Sequence, residues 1–465
     1  MPECFAIYSN EIEGRIDPFY YKPAFIQFYL QLEKTKFEIK SIGEIAEKVT
    51  SGATPLSKGN AYTSKEEGIP FIRSGDINED NNINFDEVLY IKQNIHNKLL
   101  KGSKLKKGDI LIAIVGATIG QVSIYDCDKE ANINQAIALV RLEQGINPEY
   151  VKTFMISTLG QKQLDRIKRP VARANINLDE IRSIKIILPP IAIQNKIVAL
   201  MEKAYQSKKS KEAEAQKLLD SINDYVIDEL GIKLPELKDK MIYVVDSNDV
   251  EGKRIDAYYY QPKFEEVEKA VKKGKYEVKE IREVLEYYKK GIEVGSDAYV
   301  DRGIPFIRVA DIDYYKVKYE ETDKKIKPEL YEQLKDYQPQ KDELLFSKDG
   351  SVGFCVVVNE NKESIISGGI LRLKIKEDIN NFYIKIILSS KFFKIVTERE
   401  SIGSIIKHLT PEVFLSMKIP LPPLPIQNKI ADEVKRRMQK AEQLQKEAKE
   451  ELEKAKQEVE KIILG

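Results

Sequence analysis

The residue types that most often carry chemistry are sparse and scattered in this chain. Of 465 residues only two are histidines, His96 and His408, and three are cysteines, Cys4, Cys127 and Cys355. The cysteines are far apart, odd in number and without Cys-x-x-Cys spacing, which favours neither a disulfide framework nor a zinc site. Metal or acid–base chemistry built on histidine is not expected from two isolated imidazoles. Two glycine loops invite a phosphate-binding reading, Val115-Gly116-Ala117-Thr118-Ile119-Gly120 and Ser347-Lys348-Asp349-Gly350-Ser351-Val352-Gly353. A phosphate loop needs Gly-x-x-x-x-Gly-Lys-Ser/Thr leading into a helix, whereas Gln121 to Tyr125 read as another strand. A glycine hairpin between strands is therefore the expectation. Glu-x-Lys strings of the kind nucleases use, Glu38-Ile39-Lys40 and Glu277-Val278-Lys279, arise by chance in a chain that is 32% charged, and no acidic partner stands at a suitable spacing. Leu188-Pro189-Pro190-Ile191 lacks the leading polar residue of an adenine-methylase Pro-Pro motif, and no Walker sequence is present.

These residues must be positioned by a frame, and the frame occurs twice. Leu188 to Asn195, LPPIAIQN, returns as Leu421 to Asn428, LPPLPIQN. Gly68 to Ile77, GIPFIRSGDI, returns as Gly303 to Ile312, GIPFIRVADI. Arg15-Ile16-Asp17 with the aromatic tail Phe19-Tyr20-Tyr21 and Pro23 matches Arg254-Ile255-Asp256 with Tyr258-Tyr259-Tyr260 and Pro262. The two glycine loops fall at matching places. Self-similarity at about half the chain length means a duplicated module, not a solenoid. Phe71-Ile72-Arg73 alternates like a short strand, with Arg73 and Arg308 closing equivalent strands and Asp76 opening a turn. Gly108 to Ile114 reads as a buried strand, and 148–168 and 380–400 as helical. The Arg-Ile-Asp segments read as structural anchors in which aromatics pack on the module and Arg–Asp fixes a turn. Each module is thus α+β. The frames are equal and the contents differ, as in one scaffold presenting two recognition surfaces.

Each LPP motif runs into a long charged helix, started after the prolines. The first has a seam at Ile193, Ile197, Leu200, Ala204, Ser207, Lys211, Ala215, Leu218, Ile222 and Tyr225, polar in its middle, and is ended by Gly231 and Pro235. The second seam is Ile426, Ile430, Val434, Met438, Ala441, Leu444, Ala448, Leu452, Ala455, Val459 and Ile462. Amphipathic helices of this length need partners, and alanines on both seams permit close approach. Antiparallel pairing within the chain, with a pseudo-two-fold axis, is expected; the alternative is a parallel coil joining two chains. The predicted boundaries are 1–187 for the first module, 188–232 for its helix, 233–250 for a linker, 251–420 for the second module and 421–465 for its helix. With 42% hydrophobic residues, no apolar run long enough to span a bilayer and no signal-peptide pattern at the N-terminus, a cytoplasmic globular protein is the default. The balance of 75 basic and 74 acidic residues neither announces nor excludes a nucleic-acid partner, so clustering matters more than the sum.

Taken together and in this order twice, the Arg-Ile-Asp entries, the GIPFIR strands, the glycine hairpins and the LPP-x-x-IQN helices resemble the specificity subunit of type I restriction-modification systems, over nearly the whole chain. The resemblance implies two target-recognition domains separated by antiparallel helices, each reading one half of a bipartite, asymmetric DNA site, with no catalysis in the subunit itself. It also implies two methylation subunits that bind S-adenosylmethionine and two restriction subunits that use ATP, so that this chain carries no cofactor and meets no membrane. Phosphate contacts come mostly from Lys and Arg, base reading from Arg, Lys, Asn and Gln. On that ground the candidate DNA contacts are Lys58, Arg73, Arg169 and Arg173 in the first module, the latter two in the basic run from Arg166 to Arg173. In the second they are Arg302, Arg308, Lys348, Arg399 and Lys407, expected in comparable loops. The competing classes are a self-contained DNA-binding nuclease and a coiled-coil scaffold without DNA binding.

Overall fold

The sequence repeat is a repeat of fold. A computed structural model describes residues 5–7, 12, 15–55, 60–169, 174–251, 254–401 and 407–465. The first module contains β1 (Glu38–Ser41), β2 (Ala46–Ser51), β3 (Tyr62–Thr63), β4 (Ile69–Ile72), β5 (Leu89–Ile91), β6 (Asp109–Ala113), β7 (Val122–Tyr125), β8 (Asn132–Ile133), β9 (Ile137–Leu142) and β10 (Lys185–Leu188). They form an antiparallel sheet β2-β9-β6-β7, a small sheet β3-β5-β4-β8 in which β4 and β8 are parallel, and the pair β1-β10. The second module contains β11 (Val278–Glu280), β12 (Leu285–Lys290), β13 (Tyr299–Val300), β14 (Ile304–Ile307), β15 (Lys325–Ile326), β16 (Leu344–Ser347), β17 (Cys355–Val357), β18 (Ile365–Ile366), β19 (Ile370–Ile375) and β20 (Lys418–Pro420). Its sheets, β12-β19-β16-β17, β13-β15-β14-β18 and β11-β20, repeat the same orders. Even a register shift recurs, between Ala46 and Lys48 in β2 and between Leu285 and Tyr287 in β12.

The near-continuous apolar run of β6 reflects burial on both faces. Ile110 and Ile112 pack into the main core against helices, while Leu111 packs with Leu139 into a second core shared with the small sheet. Leu344 and Phe346 against Leu345 divide in the same way. A buried carboxylate at the start of β6 and one just before β16 are each matched by an arginine on the neighbouring strand: Arg141 Nη2 lies 2.7 Å from Asp109 Oδ2, and Arg372 Nε 3.0 Å from Glu343 Oε2.

The main helices are α1 (Pro23–Leu32), α2 (Pro148–Ile156), α3 (Thr158–Ile167), α4 (Ile191–Leu230), α5 (Pro262–Lys272), α6 (Asn381–Leu388), α7 (Lys391–Glu400) and α8 (Leu424–Leu464). The helical stretches expected at 148–168 and 380–400 are each made of two helices. The break is made by serine: the Ser157 hydroxyl donates to the Phe154 carbonyl and the Ser390 hydroxyl to that of Ile387, both at 2.6 Å. Such local side-chain bonds compete with continuation of the helix.

The framing motifs are joints. Gln194, buried at the start of α4, donates to the Pro189 carbonyl at 2.9 Å and accepts from the Asn147 backbone N–H at 3.1 Å, while Asn195 Oδ1 accepts from Asn147 Nδ2 at 2.8 Å. Gln427 and Asn428 repeat this on Pro422 and Asn380, at 2.8, 2.9 and 2.7 Å. Asn147 and Asn380 cap α2 and α6, so IQN fastens each long helix to the cap of a module helix. The Arg-Ile-Asp segments are anchors, as expected. Asp17 and Asp256 accept from the backbone N–H of Tyr20 and Tyr259, and the Tyr21 and Tyr260 hydroxyls donate to the carbonyls of Arg15 and Arg254.

By contacts the chain divides into two units, Met1–Glu212 with Gln445–Gly465, and Ala213–Leu444. Each unit holds one module and one part of each long helix, paired antiparallel. In the first unit Ile197, Met201 and Ala204 share the main core with Ala455, Val459 and Ile463. The polar middle of the seam is used there for ion pairs: Lys211 Nζ lies 2.9 Å from Glu447 and 2.7 Å from Glu451, and Ser207 donates to Glu451 at 2.7 Å. In the second unit Ala215 packs with Ala441 and Leu444, and Val226 and Leu230 join the core containing Ile430 and Val434. Gly231, at φ +65°, follows the last turn of α4. Among the described residues no helix is long and apolar enough to cross a membrane.

Candidate nucleic-acid interface

Three connections meet at one edge of each module. In the first, Val115 at the entry to the glycine hairpin bridges Asn175, and the Gly116 N–H donates to Ala174 at 3.1 Å. Residues 134–136, between β8 and β9, join this hairpin to the end of β4: Ile114 N–H donates to Ala136 at 2.9 Å, and Asn134 N–H to Ile72 at 3.0 Å. The second module repeats the arrangement. Asp349 bridges His408, Gly350 N–H donates to Lys407 at 2.8 Å, Lys348 N–H to Gly369 at 2.9 Å, and Ser367 N–H to Ile307 at 2.8 Å. The hairpins turn on glycines with positive φ, Gly116 and Gly120 in one and Gly350 and Gly353 in the other, a conformation in which a side chain is strained. They bring exposed backbone and short side chains to the edge.

The structure sorts the candidate contacts by what their charges already hold. Arg73 follows β4, and its guanidinium is spread over the buried Asp76, with Nη2 at 2.7 Å from Oδ1 and Nε at 3.2 Å from Oδ2, and over the Glu87 carbonyl at 3.1 Å. Hydrogen bonding to Asp76 raises its pKa further. Arg308 is placed alike, with Nε 3.5 Å from Asp311 and Nη2 on Asp323. Both remain partly exposed. Arg169 is half exposed, with Glu180 3.4 Å away. Lys407 is also half exposed, 3.7 Å from Glu398. Arg302, in the turn between β13 and β14, is exposed and makes no hydrogen bond or ion pair among the described residues. Lys58 and Arg173 lie outside the described residues.

Two placements correct the sequence reading. Lys348 is not a surface cation: its side chain is 1% exposed, with Nζ 2.6 Å from Asp349 Oδ2. Its backbone continues β16 between Gly369 and Leu409, bonded on both sides, and this turns the side chain inward. Arg399 is not in a loop but in the last turn of α7. Its Nε donates to the Tyr259 carbonyl at 3.1 Å, its Nη1 lies 2.7 Å from Glu268, and its guanidinium sits 4.5 Å from the Tyr259 ring. It braces the aromatic anchor, as Arg166 braces Tyr20 with the same Nε bond at 3.1 Å.

Polar side chains that the sequence reading passed over stand at the same edges. Gln135 is exposed, with Oε1 taken by the Thr54 hydroxyl, and Asn134 is half-buried beside it. Asn175 is exposed on the bridge to Val115. In the second module Ser367, Gly368 and Gly369 occupy the connection that holds Asn134, Gln135 and Ala136 in the first, and His408 Nδ1 meets Asp349. Asn and Gln match the adenine edge in a major groove. The signal was the glycine hairpin: whatever flanks it at the β8–β9 connection shares its edge.

The type I restriction modification DNA specificity domain matches residues 34–220 and again 273–454. The type I restriction enzyme EcoBI specificity subunit of Escherichia coli is 32% identical over 160 residues, a stretch that spans 34% of this chain and only 33% of that protein. A Methanocaldococcus jannaschii protein assigned as the type I restriction enzyme MjaX specificity subunit is 25% identical over 465 residues, 94% of this chain and 97% of that one. A chain solved in work on complex assembly and conformational transition of the type I R-M system superposes with a TM-score of 0.55 at 15% identity, over 92% of this chain and 96% of its own, a likeness of fold. The chain belongs to the type I restriction modification DNA specificity family, and it carries the family's domain twice.

Proposed function

We propose that this chain is the DNA-recognition subunit of a type I restriction-modification complex, without catalysis of its own. Each module reads one half of a bipartite, asymmetric target through the edge where the glycine hairpin, the β8–β9 or β18–β19 connection and the chain before β10 or β20 converge. The observation that carries this reading is one fold used twice with the same joints and different residues at that edge. Two methylation subunits, which supply the S-adenosylmethionine site, dock along the helices, and two restriction subunits with ATP complete the assembly. The chain itself is expected to bind none of these cofactors.

The test is reconstitution with the methylation subunits, followed by sequencing of methylated adenines. A single two-part motif is expected, together with salt-sensitive retention of duplex DNA. Methyl transfer, nucleotide hydrolysis or DNA cleavage by the clean isolated chain would sink the assignment, as would complete indifference to DNA.

A further inference from the structure

In the second unit a cavity of about 170 Å³ lies between α6, α7 and the two long helices. Its floor is apolar, formed by Ile222, Val226, Val434 and Met438, and Tyr314 and Lys394 stand on its wall. Two polar groups, one on α6 and one on its C-cap residue, open onto it without hydrogen-bond partners. Lys385 is 6% exposed, and its ammonium makes no hydrogen bond or ion pair among the described residues; the Phe382 ring lies 5.3 Å from it. Ser389, four residues on and so on the same helix face, has a buried hydroxyl oxygen that is likewise unbonded.

An unpaired buried ammonium is costly, and the repeat shows what normally relieves it. Lys152 holds the equivalent place in the first module, with Glu149 one turn earlier, 3.6 Å away. At that position the second module has Phe382. Asp313, whose charge reaches Lys385, is engaged by the backbone N–H groups of Tyr315 and Lys316 at 2.8 and 2.9 Å and lies 3.5 Å from Lys318. The undescribed residues of this unit, Gly252, Lys253 and Ile402 to Ile406, include no carboxylate. Burial accordingly pushes the Lys385 ammonium below its usual range.

We propose that this cavity binds a small monocarboxylate with an apolar body. The carboxylate accepts from Lys385 Nζ and the Ser389 hydroxyl, and the apolar body rests on the helix floor. An apolar cavity of roughly 150 Å³ holds one benzene-sized ring, so benzoate is the probe. The full chain is titrated with benzoate and, separately, with benzyl alcohol, following thermal unfolding and equilibrium binding. Saturable benzoate binding that raises the wild-type Tm is expected, with benzyl alcohol much weaker. Lys385→Met should lose roughly tenfold or more in benzoate affinity, the scale of a charged hydrogen bond, and should unfold no lower than wild type without ligand, because a buried charge has gone. Ser389→Ala, a small change that leaves the fold in place, should bind several-fold more weakly and keeps the test decisive if Lys385→Met does not fold. Equal binding of benzyl alcohol, undiminished benzoate binding by either variant, or no saturable binding at millimolar benzoate would overturn the proposal.

Discussion

Arg166 and Arg399 each donate from Nε to a tyrosine carbonyl, Arg141 and Arg372 each meet a buried carboxylate, and Arg73 and Arg308 each fold over an aspartate in the following turn. Sequence spacing paired Arg73 with Arg308 but did not say that these arginines are braces, and it left Arg141 and Arg372 unnoticed. Basic residues near loops look alike in one dimension; a partner can come from the next turn, as Asp76 does for Arg73, or from over a hundred positions away, as Glu268 does for Arg399. Brace and free cation should separate by experiment. Arg73→Ala leaves the buried Asp76 without its guanidinium and should cost about 1–3 kcal/mol of stability, seen as a lowered Tm, with any loss of recognition confined to one half of the target. Arg302→Ala and Arg169→Ala should leave the Tm nearly unchanged while weakening DNA binding and reducing its salt dependence by about one counterion if each meets one phosphate. An Arg302 variant with unaltered salt dependence would remove it from the interface.

Turns and helix ends carry the next level of prediction. Gly353 sits at φ +100° and Gly350 at φ +67°, and a Cβ at either would meet nothing within 4 Å. The cost of alanine is therefore conformational alone. Gly353→Ala, outside the left-handed helical well, should lose about 1–3 kcal/mol, and Gly350→Ala, inside it, about 1 kcal/mol. Urea midpoints at constant slope would check the order; equal losses would contradict it. On α8, Glu433 accepts from Arg436 Nε at 2.7 Å and from Arg437 Nε at 2.8 Å, and these bonds, Arg436 first, hold its carboxyl down to about 2. A depressed carboxylate contributes stability above its unfolded pKa, near 4.5, and loses that contribution as pH falls toward 2. Glu433→Gln should flatten the fall in stability across that acid window and leave its slope near neutrality unaltered. The elements themselves were largely legible in the sequence, because apolar alternation, paired glycines and proline helix starts are local signals. The serine breaks at Ser157 and Ser390 were not, since a helix carrying a serine and a helix ended by one have the same periodicity. The joints made by Gln194 and Gln427 showed only as repeated letters until their acceptors and donors were in place.

For the whole molecule, the duplication was legible and its recognition edges only in part. A repeat reveals the frame because the frame is what stays constant; the residues proposed to read different half-sites are among those the repeat does not share, such as Gln135 against Gly368. The helices offer the direct test of the bipartite reading. Within the first unit Ser207 faces Glu451 and Lys211 faces Glu447, and within the second Ser221 faces Arg437. One added heptad in each helix, near Ser210 and near Leu444, preserves such a seam. At about 1.5 Å per residue it lengthens each helix by roughly 10 Å, about three base pairs of DNA at 3.4 Å each. The methylated motif should gain that many unspecified positions and keep both half-sites. An unchanged spacing with full activity would mean that the helices do not set it.

The packing of Ala455, Val459 and Ile463 into the first core bears on how the chain is made. The Thr35 hydroxyl donates to the Ile463 carbonyl, 428 residues downstream, and the Thr158 N–H to Glu460. A ribosome adds about 5–20 residues per second, so the 251 positions between Ala204 and its core neighbour Ala455 take roughly 13–50 s to make. Throughout that interval the nascent first module waits with Ile197, Met201 and Ala204 uncovered, and only the arrival of the distal helix closes it.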